Sequence, residues 1–154
     1  MSDTGPWQVG GHSLPTALVD SLRAGTWRRP RDITGLTAIL RDEEEARLGD
    51  FYGLAQMRSE MEGLWAVALH QPEAAVPLGL STAKDARERG LLDVGAAVPI
   101  LGSRSGFFVC LYYSPGAPVP SVLAPIESSA TGFVWREVAP SFEAFIRAAG
   151  IETG

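Results

Sequence analysis

Few side chains in this chain could do chemistry: His12, His70, Cys110, the serines in the GSRSG run from Gly102 to Gly106, and scattered carboxylates. A nucleophilic hydrolase needs Ser or Cys within reach of a base. GSRSG has the outline of a nucleophile elbow, but it separates two strand-like runs, where a hairpin turn is expected instead. Cys110 lies in GFFVCLYY between Val109 and Leu111, the setting of an inert core thiol. Two distant histidines and one cysteine offer no metal-ligand spacing. No GxGxxG follows a strand, and no Gly-rich loop ends in Lys-Ser/Thr. Glu60 and Glu62, or Asp50, supply carboxylates without the specific placement that glycoside chemistry needs, and they read as a solvated face. Trp65 and Trp135, with Tyr112 and Tyr113, could wall a pocket, though core anchoring is the more general role of such aromatics. The residues therefore predict no catalytic, cofactor-binding or metal-binding site.

Charge narrows the partners. The formal net charge is −5, from 13 Lys+Arg against 18 Asp+Glu, and Lys84 is the one lysine. Nucleic acid is an unsuitable partner on that balance, since phosphate binding calls for a basic patch. The cluster Arg28, Arg29 and Arg31 is too short to reverse it and reads as a solvated loop. The acidic run Asp42, Glu43, Glu44 and Glu45 reads as a wet helix end or loop. It is also the best candidate for contact with a basic partner. No run of apolar residues approaches the ~18 of a membrane span, and the first residues lack a basic segment followed by an apolar one. With a single cysteine unable to form an internal bridge, the expectation is a cytoplasmic chain.

The elements that must position these residues follow from periodicity. The 154 residues are 45% apolar and 20% charged, the composition of a globular domain. Residues 1–12 read as a flexible lead-in and residues 13–154 as one domain. Leu14, Leu18 and Leu22 predict a helix that Gly25 ends, and Trp27 in the next connector folds back onto the core. Leu36, Ile39 and Leu40 predict a second helix from Thr34 to Arg41, capped by Asp32 or Thr34 and able to continue into the acidic run. DFYGLAQM reads as a strand broken by Gly53 and RSEMEGL as a helical turn, while LWAVALH fits both strand and buried-helix templates. AVPLGL reads as extended, and STAKDARERG as a short exposed helix. AAVPIL, GFFVCLYY, PSVLAPI and GFVWREV then read as four strands, the first two antiparallel. The chain closes on a helix started by Pro140 and Ser141, with Phe142, Phe145, Ile146 and Ala149 on one face and Gly150 at its end. The class predicted is α+β, a central, mostly antiparallel sheet flanked by helices, with a C-terminal helix.

That C-terminal pattern resembles the ending of SMI1/KNR4-family domains, the SUKH superfamily. Their last strand runs into a VA-x-SF-x-x-F helix start, matched by Val138, Ala139, Ser141, Phe142 and Phe145. LPTALVDSLRAGTWRRP is similar to the Leu-Pro helix and following Trp near the start of many bacterial members. Where many relatives carry an Asp-rich stretch at the paired strands, this chain has GSRSGFFVCLYYSPG. The resemblance implies a SUKH-like fold and a non-enzymatic protein-binding role, as an immunity protein that neutralises a polymorphic toxin. A basic toxin domain would be steered by Asp42–Glu45. The alternatives are a small-molecule binder or unrecognised hydrolase using the aromatic pocket, or a housekeeping scaffold.

Overall fold

The computed structural model describes residues 7–102, 107–128 and 132–151. The chain begins with a small hairpin, β1 (Gln8–Val9) against β2 (His12–Ser13), and continues into α1 (Thr16–Ala24). Next come α2 (Thr34–Leu40), α3 (Glu43–Leu48), β3 (Asp50–Phe51), α4 (Leu54–His70) and α5 (Pro72–Leu78). A short parallel ladder joins β4 (Leu80–Ser81) to β5 (Leu92–Asp93), across a 3-10 turn at Ala86–Arg89. The strands β6 (Ala97–Gly102), β7 (Phe108–Tyr112), β8 (Ser121–Ser128) and β9 (Gly132–Ala139) follow, and α6 (Phe142–Ala149) ends the described chain. The main sheet runs β3-β6-β7-β8-β9, antiparallel throughout. The α+β class with a C-terminal helix is therefore correct.

Sheet residues alternate between two apolar clusters, which explains why β6 and β7 read as unbroken apolar runs. Val109 and Leu111 enter a larger core with α1, α2, α6 and the first half of α4. Phe108, Cys110 and Tyr112 enter a smaller one with Ala75, Leu92 and Trp135. A side-chain period of two cannot show as polar alternation when both faces are covered. A register shift between Pro99 and Leu101 lets both Ile100 and Leu101 join the larger core. Proline suits such a place because it has no N–H to give to the ladder. The β9 edge is covered by the 3-10 turn and its exit: the Trp135 N–H donates to the Gly90 carbonyl at 2.8 Å, and Arg87 Nη1 donates to the Trp135 carbonyl at 2.9 Å. Capping an edge in this way blocks pairing with another chain.

α6 follows its sequence signals closely. Ser141 Oγ accepts the Ala144 N–H at 3.2 Å, Gly150 closes the helix at φ 74°, and Phe142, Phe145, Ile146 and Ala149 are buried. Trp27 turns inward as expected: its ring meets Phe51 and Phe142, and Nε1 donates to the Tyr52 carbonyl at 3.1 Å. Asp32 Oδ1 accepts from the Thr34 N–H and hydroxyl, which starts α2.

Four readings need correction. Residues 7–12 are not a loose lead-in: Val9 is fully buried, and Arg58 of α4 donates to the Gln8 carbonyl, tying the hairpin down. The second helix does not run into the acidic run, because Arg41 adopts a left-handed φ of 57° and Asp42 starts a new helix. Of DFYGLAQM only Asp50–Phe51 is a strand, and residues 54–70 form one 17-residue helix in place of the rest of that strand, a helical turn and an undecided run, with Gly53 at its N-cap. Residues 72–78 are helical where AVPLGL reads as extended. Pro72 occupies the first turn, and Pro77 falls one residue before the helix ends, so the missing N–H disrupts little. Residues 103–106, which include both serines of GSRSG and on which the hairpin-turn reading falls, lie outside the described residues.

Candidate functional site

The second half of α4, from Leu64 to Leu69, is apolar at every position and so around its whole circumference. Met57 and Met61 enter the larger core, and Leu64, Val67 and Ala68 pack against the smaller one. On the opposite side Trp65 is 44% exposed and Leu69, one turn later, 50%. Ala66 between them is exposed too, as is Val76 on α5 at 66%. The Trp65 ring lies over the Gly95 backbone, where a Cβ would come within 3.4 Å of it, so the indole rests on a firm support. A helix apolar all round is normally buried on all sides. Half of this one is covered by the sheet and half faces outward. The six-residue run LWAVAL is the signal for this, and its double fit to strand and helix templates has the same cause.

A second concavity of about 520 Å³ lies between the N-terminal hairpin, the start of α1, the β7–β8 loop and the start of α6. His12 stacks on Tyr113 with ring centroids 4.4 Å apart, and its Nε2 lies 2.9 Å from the Gly95 carbonyl. A carbonyl only accepts, so Nε2 carries a proton and donates to it. The Tyr113 hydroxyl donates to the Ser13 carbonyl at 2.7 Å, and burial raises its pKa well above the ordinary phenol value. Glu143 at the start of α6 lines the same cleft.

The acidic run is partly committed to its own helix. Asp42 caps α3, with Oδ1 accepting the Glu45 N–H at 3.0 Å, and Glu43 pairs with Arg47 at 3.1 Å. Asp42, Glu43 and Glu44 are exposed and Glu45 is half-buried. Acidic residues in a first turn also suit the positive end of the helix dipole. These charges thus have a local structural use whatever else they meet.

The aromatic pocket read from sequence is not assembled. Trp135 is buried under α5, its Nε1 donating to the Leu78 carbonyl at 3.0 Å and its ring against Phe108. Tyr112 is buried in the same cluster, Trp65 faces outward, and Tyr113 alone of the four lines the cleft. Neighbouring strand residues point to opposite faces, so Tyr112 and Tyr113 cannot share one wall. His70 is exposed at the end of α4. Cys110 is fully buried, and desolvation raises its thiol pKa far above the ordinary value, which suppresses the thiolate. Among the described residues no group of three or more His, Cys, Asp and Glu could hold a metal ion, and no helix is long and apolar enough to cross a membrane.

The chain matches no protein-family model, no curated protein and no solved structure.

Proposed function

We propose that this chain is a non-enzymatic protein-binding module, an immunity protein that neutralises a toxin domain in the cytoplasm. The observation that carries the binding role is the outward half of α4, where Trp65 and Leu69 stand exposed on a helix whose other half is packed. Contiguous exposed apolar surface marks interaction sites, and a supported tryptophan is the residue type that dominates binding energy at interfaces. The resemblance of the two chain ends to SUKH domains supports the immunity role. Asp42, Glu43, Glu44 and Glu45 would act as a steering rim for a basic toxin, raising the encounter rate more than the affinity.

The test is first whether a toxin gene lies beside this one, which the reading requires, and then co-expression of this chain with that toxin. Wild type should restore growth, and Leu69→Gln, which should fold normally, should restore less. Tagged wild type and Leu69→Gln should also differ in the partner they retain, with a binding isotherm on the purified partner giving the same order. No rescue by wild type and no Leu69-dependent partner would sink the reading.

The cleft beside His12 favours a second reading, a small-molecule binder, because its volume falls within the usual range for ligand pockets. A ligand that binds only the folded state raises the melting temperature with concentration. A metabolite panel that raises it for wild type but not for Tyr113→Ala would favour this alternative.

A further inference from the structure

We infer that the outward face of α4 and the exposed side of α5 receive an amphipathic helix whose apolar ridge is flanked by lysine or arginine. The inference rests on the protein-binding reading and adds the chemistry of the partner. From Ser59 to Ala83 the chain contains no Lys or Arg. Arg58, just before this stretch, is turned toward the Gln8 carbonyl. The acidic residues nearest in sequence to the exposed apolar ones are Glu62 and Glu73, both exposed, with the imidazole of His70 between them. Within α4, Glu62, Trp65 and Leu69 follow one another at steps of three and four, so a carboxylate precedes the apolar pair on one side of the helix, and Glu73 stands on α5, which packs against α4. Trp65 and Leu69 form an i, i+4 ridge of the kind that packs into the groove of another helix.

Charge also argues against the competing occupants. In a two-fold dimer through this face, the same patch would meet itself, bringing glutamates toward glutamates with no Lys or Arg from residues 59–83 between them. An anionic membrane would meet the same repulsion. A cationic amphipathic helix places its apolar side on Trp65 and Leu69 and its charges on Glu62 and Glu73.

The test uses 15N-labelled full chain titrated with a designed Leu/Lys amphipathic peptide and with its Leu/Glu counterpart. The Leu/Lys peptide should shift amides of α4 and α5 and lose affinity as salt rises. Leu69→Gln should weaken it by roughly tenfold or more, as loss of a central anchor does. The double variant Glu62→Gln/Glu73→Gln should flatten the salt dependence. Equal binding of the Leu/Glu peptide overturns the inference, as do shifts confined to Asp42–Glu45. Dimerisation of wild type that Leu69→Gln abolishes would make a second copy the occupant and overturn it too. So would a blue shift of tryptophan fluorescence on neutral lipid vesicles that Trp65→Phe abolishes. If the peptide fails while the co-expressed toxin still depends on Leu69, the partner chemistry falls and the binding reading stands. If no partner depends on Leu69, the binding reading falls with it.

Discussion

α6 and α4 are both rich in apolar residues, but they spend them differently. In α6 each large apolar side chain is buried: Phe142, Phe145 and Ile146 are at most 2% exposed, while Glu143 and Arg147 face water. In α4 the buried set is Met57 and Met61, and Trp65 and Leu69 remain outside. Apolar area left in water forgoes a stabilisation of about 25 cal/mol per Å². α6 is therefore a helix completed by its own fold, and α4 has an apolar surplus that its own fold does not use. Substitutions along the two helices should separate these roles.

The largest effect is expected in α6. Phe145 is fully buried in the larger core, and Phe145→Ala should cost roughly 3–5 kcal/mol, read by chemical denaturation. A stability within 1 kcal/mol of wild type, to the order expected for peripheral sites, would mean that α6 is not docked as described. Next comes the close approach of α2 to α6. A Cβ on Gly35 would collide with the Ala148 carbonyl oxygen, which is backbone and cannot swing away. Gly35→Ala should cost about 1–3 kcal/mol, although in an open helix the same change is favourable by about 1 kcal/mol. A stabilised Gly35→Ala protein would contradict the packing. Third, Ser141→Ala removes the cap of α6 and should cost ~1 kcal/mol, with Ser141→Asp restoring most of it.

The N-terminal end of α4 gives a pH-dependent counterpart. Tyr52 precedes the Gly53 cap, and its phenol is pushed up to about 12, first by burial and then by Glu60 and Asp50. The folded pKa lies above the unfolded value near 10, so between them the folded state holds more protons. This contribution is complete below pH ~10 and is lost as pH rises through the folded value. Melting temperature should fall across that window, and less steeply in Tyr52→Phe. Equal slopes would show that Tyr52 is not desolvated in the fold.

How much could be read from the residues alone differs between the same two regions. α6 was legible because Ser141, Gly150 and a one-sided apolar face agree, and β6 to β9 because β-branched and aromatic runs are separated by turn residues. α4 was not legible: period assigns a helix by contrast between faces, and LWAVAL has none. The hairpin at residues 7–13 was missed because Val9 stands beside two glycines with no periodic pattern, and the hairpin is tied to α4 by the bond from Arg58 to the Gln8 carbonyl, 50 positions away. Of the candidate site, the acidic run was visible and its capping by Asp42 followed a known preference. The aromatic pocket was drawn from residue types without the strand alternation that sends Tyr112 and Tyr113 to opposite sides. Trp65 was noticed as an aromatic, but its exposure depends on which side of α4 the sheet covers, and that is a tertiary fact.

The smallest expected effect is also the sharpest test of the comparison. Leu69 is 50% exposed on the outward side of α4, so Leu69→Gln exchanges apolar surface that water already reaches for a polar side chain of similar size and helix propensity. Its unfolding free energy should stay within ~0.5 kcal/mol of wild type, as for surface substitutions without a special feature. Leu→Ala in a packed core costs roughly 2–5 kcal/mol, so the two outcomes are well separated. A loss of that larger size for Leu69→Gln would mean that this face is covered within the protein itself. α4 would then be completed by its own fold as α6 is, and the apolar surplus on which the binding surface rests would not exist. A near-zero change in stability, together with loss of the Leu/Lys peptide's binding, would place the whole effect of Leu69 at the interface.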